Sequence, residues 1–86
     1  MNPDAALKAL AEPHRRAILQ LIADCPRPVG EIASHLDITG QAVSRHLKVL
    51  HGAGLVDRDK RGVWVYYRAR QQALAAIGVL IGCAPG

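Results

Sequence analysis

The stretch VGEIASHLDITGQAVSRHLKVLHGAGLVDRDKRGVWVYYR, residues 29–68, decides the fold. Ile32, Ala33 and Leu36 recur at helical spacing, so a short helix runs from about Val29 to Leu36. Asp37 and Ile38 leave room only for a tight connection. Thr39 is a helix N-cap by its chemistry, because its hydroxyl can accept from the free N–H groups of a first turn. A longer helix follows to about His51. Gly52-Ala53-Gly54 ends it, since glycine takes the left-handed backbone of a helix stop without a Cβ clash. Beyond Gly54 the apolar period drops from about 3.6 to about 2. Leu55 to Asp59 and Val63 to Ala69 read as two strands, with Lys60-Arg61-Gly62 as the tip of a hairpin. Val63, Val65, Tyr67 and Ala69 share one face of the second strand, and Trp64, Tyr66 and Arg68 the other.

Upstream, Asn2-Pro3-Asp4 opens a helix, as N-cap, first-position proline and first-turn acid respectively. Leu7, Leu10 and Ala11 follow at helical spacing. Pro13 starts a second helix, with Ile18, Leu21 and Ile22 on its buried side. Cys25-Pro26-Arg27-Pro28 stops it, because proline cannot donate a helical hydrogen bond. Downstream, the helical period returns from Arg70 to about Gly82, with Leu74, Ile77 and Ile81 on one face. The order is four helices, two strands and a helix. This is a mainly α chain with a β-hairpin, the pattern of a winged helix-turn-helix, expected to form one domain over residues 1–86 with dimerisation helices at its ends.

Composition agrees with a small globular domain. The 86 residues are 50% hydrophobic and 21% charged, and the aromatic residues are Trp64, Tyr66 and Tyr67 alone. The core must be built from Leu, Ile, Val and Ala. The net charge is +4 and unevenly spread. Residues 1–37 hold four basic and five acidic side chains, whereas residues 38–70 hold seven basic and two acidic ones. A positive field confined to the middle of the chain points to a polyanion.

The helix from Thr39 to His51 gives that field a shape. At about 100° per residue, Val43, Leu47 and Leu50 face the core. Gln41, Arg45 and Lys48 lie nearly opposite, with Ala42 and Ser44 at the margins. Arg pairs bidentately with guanine and Gln with adenine, and a small Ala or Ser admits close approach to a major groove of double-stranded DNA. Thr39, Gly40 and Gln41 stand at the positive helix end, suited to a phosphate. Arg58, Lys60 and Arg61, with Gly62 at the tip, would reach the sugar–phosphate backbone nearby. His46 lies on the flank of the buried face and reads as a packing or phosphate-contacting residue rather than a metal ligand.

The stretches LKALAEPHRRAILQLI (residues 7–22) and VGEIASHLDITGQAVSRHLKVLHGAGLVDRDKRGVWVYYR resemble the ArsR/SmtB family of bacterial winged-helix repressors. The resemblance implies a homodimer on a two-fold operator, released by an inducer that the sequence does not name. It places Gln41, Ala42, Ser44, Arg45 and His46 on a recognition helix, and Arg58, Lys60, Arg61 and Gly62 on a wing. Metal-sensing members resemble one another in a C-V-C-D type motif on the third helix, where this chain has Pro28-Val29-Gly30-Glu31. Others use Asp and His on the last helix, which here has neither. His14, His35, His46 and His51 are scattered over different helices, only His46 and His51 sharing one. No metal and no cofactor is therefore expected.

Cys25 and Cys83 belong to no C-x-x-C pair. Some relatives sense oxidants or sulfur species with one cysteine near the second helix and one on the last. A redox pair Cys25–Cys83 is thus an alternative, against the reading of each as a small apolar residue. The apolar run 73–83 is too short for the roughly 20 residues of a membrane span, and without a signal peptide the chain is expected to be cytoplasmic. A surface helix of a monomer cannot be apolar nearly all round. Leu74, Ile77, Leu80 and Ile81, with Leu7 and Leu10, are therefore expected to form a homodimer interface. Catalysis is not expected, because Ser44 and His46 point to different sides of their helix and no phosphate loop or carboxylate pair is present. A protein-binding winged helix is the alternative from another class.

Overall fold

The computed structural model describes residues 3–71. Asn2, Leu74, Ile77, Leu80, Ile81 and Cys83 lie outside the described residues. The described elements are α1 (Pro3–Leu10), α2 (Pro13–Leu21), α3 (Val29–Leu36), α4 (Gly40–Gly52), β1 (Val56–Arg61) and β2 (Trp64–Ala69).

Glu12 caps α2. Its Oε2 accepts from the Arg15 backbone N–H at 3.2 Å, and Pro13 occupies the first turn, where a missing N–H costs nothing. The side chains of Arg15 and Arg16 then reach backwards. Arg15 Nε donates to the Ala9 carbonyl, Arg15 Nη2 to Lys8 at 3.2 Å and Arg16 Nη1 to Leu10 at 2.6 Å. The last carbonyls of a helix lack partners within it, so two arginines of α2 satisfy the end of α1 and set the angle between the two helices.

The helical stripes differ in part from the sequence expectation. In α1 the core takes Ala6, Ala9 and Leu10, while Ala11 is exposed. Leu10 is 2% exposed and belongs to this protomer's own core, so it is not available to a dimer interface, whereas Leu7 is 56% exposed. In α2 the fully buried residues are Ile18 and Leu19, with Ile22 just past the helix, and Leu21 is only half-buried. Leu19 is drawn inward because α2 packs against α1, α3 and α4, and a helix covered on several sides buries more than one stripe.

The α3–α4 unit follows the sequence closely. Asp37 closes α3 in the left-handed conformation with φ 54°. Thr39 caps α4, its hydroxyl accepting from the Ala42 N–H at 3.1 Å. Val43, Leu47 and Leu50 are the buried residues of α4, and Gly54 makes the left-handed exit at φ 78°.

The hairpin is longer in its first strand than expected. β1 and β2 pair antiparallel from Val56↔Ala69 to Arg61↔Trp64, so the tip is Gly62-Val63 and not Lys60-Arg61-Gly62. The physical reason is the glycine: a two-residue turn needs a positive φ at its first position, and Gly62 supplies 64°. Lys60 and Arg61 are thereby held in the ladder. The outer edge of β2 is also occupied, since Arg27 and Tyr67 exchange backbone hydrogen bonds of 3.0 and 2.9 Å. This pins the α2–α3 loop to the hairpin.

Ile18, Leu19, Ile22, Ile32, Val43, Leu47, Leu50, Leu55 and Val56 form the centre of the core, with Tyr67 and Ala69 packed at its edge. No polar or charged residue is buried among the described residues. Leu50→Ala is expected to lower unfolding free energy by about 2–5 kcal/mol, because the cavity it leaves is enclosed. Urea denaturation of the two proteins measures this, and a loss under about 1 kcal/mol would show that the site collapses around the smaller side chain.

Candidate nucleic-acid interface

The interface is built on α4, whose buried stripe leaves one rotation open to it. With Val43, Leu47 and Leu50 inward, Gln41, Ser44, Arg45 and Lys48 are exposed, as is Thr39 at the helix start. Gly40, Ala42 and His46 are half-buried at the margins of that face. Val49 is 45% exposed. The Thr39 cap uses one of the first-turn N–H groups and leaves the helix end positive.

The hairpin brings a second set of cations to the same side. Residues alternate along a strand, so Arg58 and Lys60 lie on the face of β1 that begins with buried Val56. Beyond the core this face runs alongside α4. Arg58 shares a concavity of about 270 Å³ with Ser44, Lys48, His51 and Tyr67. Arg45, Lys48, Arg58 and Lys60 pair with no carboxylate among the described residues, so their charge is available to a polyanion.

Arg61 is placed differently from its neighbours. It lies on the opposite face of the hairpin, with Nε 2.9 Å from Asp59 Oδ2 and its guanidinium 5.4 Å from the centre of the Tyr66 ring. Arg58, Lys60 and Arg61 therefore do not act as one cluster. Arg70 is likewise held by Asp57 at 2.9 Å. At the tip, Val63 is 90% and Trp64 59% exposed.

Three other basic residues are structural. Arg15 and Arg16 close α1, and Arg27 donates to the Leu21 carbonyl at 3.0 Å and to Glu31 Oε1 at 2.7 Å. The sequence counts them as charge but gives no sign of these partners, which become neighbours only when α1, α2 and α3 pack. Cys25 is exposed, its thiol donating to the Pro26 carbonyl at 3.5 Å.

His46 has a neighbour that the sequence did not suggest. His14, expected to stay apart on another helix, has its ring centre 5.7 Å from that of His46. Burial pushes the His46 imidazole below its ordinary 6.5, a tendency that Glu12 opposes and the charges of Arg15, His14 and Arg45 reinforce. Burial alone would raise the Glu12 carboxyl. The backbone N–H groups of Arg15 and His14 and the nearby histidines outweigh this and hold it below 4.5.

Comparison with known proteins gives this arrangement a setting. Residues 10–59 match the model of a helix-turn-helix domain family. The chain is 43% identical over 76 residues to a helix-turn-helix-type transcriptional regulator of Mycobacterium tuberculosis, covering 88% of this chain and 71% of that protein. It is 35% identical over 60 residues to the transcriptional repressor SdpR of Bacillus subtilis, covering 70% and 67% respectively. Among solved structures, it superposes with a TM-score of 0.85 at 29% identity on a Mycobacterium bovis domain, covering 92% of this chain and 74% of that one. That domain is described as the homodimeric winged helix-turn-helix DNA-binding domain of "a possible ArsR-family transcriptional regulator".

The shifts of His46 and Glu12 fix the sign of a pH effect. Both groups favour their deprotonated forms in the fold, so the unfolded chain takes up protons first as pH falls. Their contributions to stability are complete above 6.5 for His46 and above 4.5 for Glu12, and are lost below those values. The urea midpoint in metal-free buffer is expected to fall in two stages on acidification. His46→Gln should flatten the first stage, and an unchanged profile would assign that stage to other groups.

Proposed function

Because this chain belongs to the ArsR/SmtB family of helix-turn-helix transcriptional regulators, we propose that it is a homodimeric repressor that binds a two-fold operator in double-stranded DNA. The family is one of regulators, not enzymes. The observation that carries the reading is the exposed face of α4, where Gln41, Arg45 and Lys48 stand without acidic partners among the described residues, beside Arg58 and Lys60 of the hairpin. In this reading Arg45 and Gln41 contact base edges, and Ala42 and Ser44 allow close approach. Thr39 and Gly40 offer backbone N–H groups to a phosphate. His46, Lys48, Arg58 and Lys60 add phosphate contacts that set register without reading sequence. Arg61, tied to Asp59, contributes less, and Gly62 serves by making the turn.

The repressor and homodimer parts of the reading are supported by the descriptions of the relatives. On this chain the support is exposed Leu7 together with the apolar sequence of Leu74, Ile77, Leu80 and Ile81. Two copies related by a two-fold axis would present their recognition helices about 34 Å apart, one turn of DNA. No helix among the described residues is long and apolar enough to cross a membrane. The place of action in this reading is the bacterial cytoplasm, where the operator is.

Fluorescence anisotropy on the DNA upstream of the protein's own gene, across a salt series, tests the reading. Log affinity should fall steeply with log salt, as phosphate-bound counterions are released, and a flat response would favour a protein-binding module instead. Arg45→Ala is expected to cost roughly 1–3 kcal/mol on operator and less on random DNA. Equal losses would reduce Arg45 to a phosphate contact. Repeating the titration after mild oxidation decides whether Cys25 and Cys83 act as a switch. Ile77→Asp should sediment as a monomer, and an intact dimer would move the interface elsewhere.

A further inference from the structure

Glu12 precedes α2, His14 lies in its first turn, and His46 lies midway along α4. In the fold, one donor atom from each of the three lies within 4.8 Å of the other two. His14 Nδ1 stands 3.6 Å from Glu12 Oε1. Two imidazoles and one carboxylate are a donor set used by three-ligand zinc centres, and imidazole also suits copper, nickel and cobalt. We propose that Glu12, His14 and His46 bind a divalent first-row transition-metal ion, with Zn²⁺ as the reference ion, which ties the start of α2 to α4.

The geometry needs little adjustment. A tetrahedral ion with bonds of about 2.0–2.2 Å holds its donors about 3.3–3.6 Å apart. His14 Nδ1 and Glu12 Oε1 are already at 3.6 Å, and separations of up to 4.8 Å close by at most about 1.2–1.5 Å. His14, half-exposed, and Glu12, about a third exposed, have the room to do so, while half-buried His46 is the least mobile of the three. Glu12 can serve the ion and the helix together. Its Oε2 accepts from the Arg15 N–H as the cap, and its Oε1 faces His14. The exposed side of His14 leaves a fourth position for water.

The surrounding charge selects among ions. Arg15 and Arg45 are close enough to His46 to disfavour a second positive charge there, and Glu12 is the carboxylate that offsets them. Ca²⁺ and Mg²⁺ need several oxygen ligands and find one carboxylate here. Ions that bond strongly to imidazole are favoured. A ligating imidazole must be neutral, and the burial of His46 favours that form. The site is not one of those that the resemblance implied, since it uses neither α3 nor the last helix. His46 is shared with the DNA reading, but the test separates the two, because its readout is metal affinity and unfolding temperature and its variant is at His14.

The test uses the full chain, stripped with chelator and kept in reductant. Calorimetric titration with Zn²⁺ is expected to show one saturable site per protomer, and saturation should raise the unfolding temperature. His14→Ala should unfold like the parent without metal, because His14 is exposed, yet lose at least about tenfold in Zn²⁺ affinity and the temperature rise. Cys25→Ser combined with Cys83→Ser should keep both, and Co²⁺ bound in place of Zn²⁺ should show no thiolate charge-transfer band. Absence of saturable binding would overturn the proposal. So would full binding by His14→Ala, or loss of binding in the double-cysteine variant.

Discussion

The burial of Val43, Leu47 and Leu50 is the constraint on which the rest depends. These side chains are at most 1% exposed, and each contributes on the order of 1.5–3 kcal/mol by leaving water. A helix has one rotation that satisfies such a stripe. Once α4 takes it, Gln41, Arg45 and Lys48 have no choice but to face outward. Specific chemistry on the exposed side is therefore positioned by unspecific apolar packing on the other. The same packing sets the hairpin, because Leu55 and Val56 enter the core directly after α4 ends and carry β1 away alongside it.

Nine of the eleven basic residues fall into three groups by what they touch. Arg15, Arg16 and Arg27 donate to backbone carbonyls at helix ends, where orphan acceptors would otherwise face solvent or protein unpaired. Arg45, Lys48, Arg58 and Lys60 have no carboxylate partner among the described residues. Arg61 and Arg70 lie between, each held by an aspartate of β1. The net charge of +4 thus understates how localised the positive field is. The N-terminal arginines direct their donors inside the fold, and among the described residues the unpaired charge gathers on one side of α4 and one face of the hairpin, with exposed Arg68 on the other face.

The helix-turn-helix was legible because its signals are local. Thr39 caps, Asp37 takes the left-handed conformation, and Gly54 exits the helix within a few residues of where the chain asks for them. The hairpin tip lies two residues beyond the sequence expectation, because Lys and Arg look like loop residues whereas the turn is decided by the one glycine able to take φ 64°. Leu10 is buried within the chain's own core, and apolar spacing shows that a residue is buried, not against what. The single-stripe view of α2 missed Leu19 because it assumes one packed face.

By itself, the sequence determined the order of elements, the inward stripe of α4, the caps and the concentration of charge between residues 38 and 70. All of these follow from spacing along one chain and from the chemistry of single residues. Tertiary structure alone decided which charges are free, which face of the hairpin turns toward α4, and that Glu12, His14 and His46 converge. Such facts depend on side chains from separate elements meeting at hydrogen-bonding or ligand distance. His14 and His46 are 32 residues apart in the chain, and no periodicity along it encodes the angle at which α2 crosses α4.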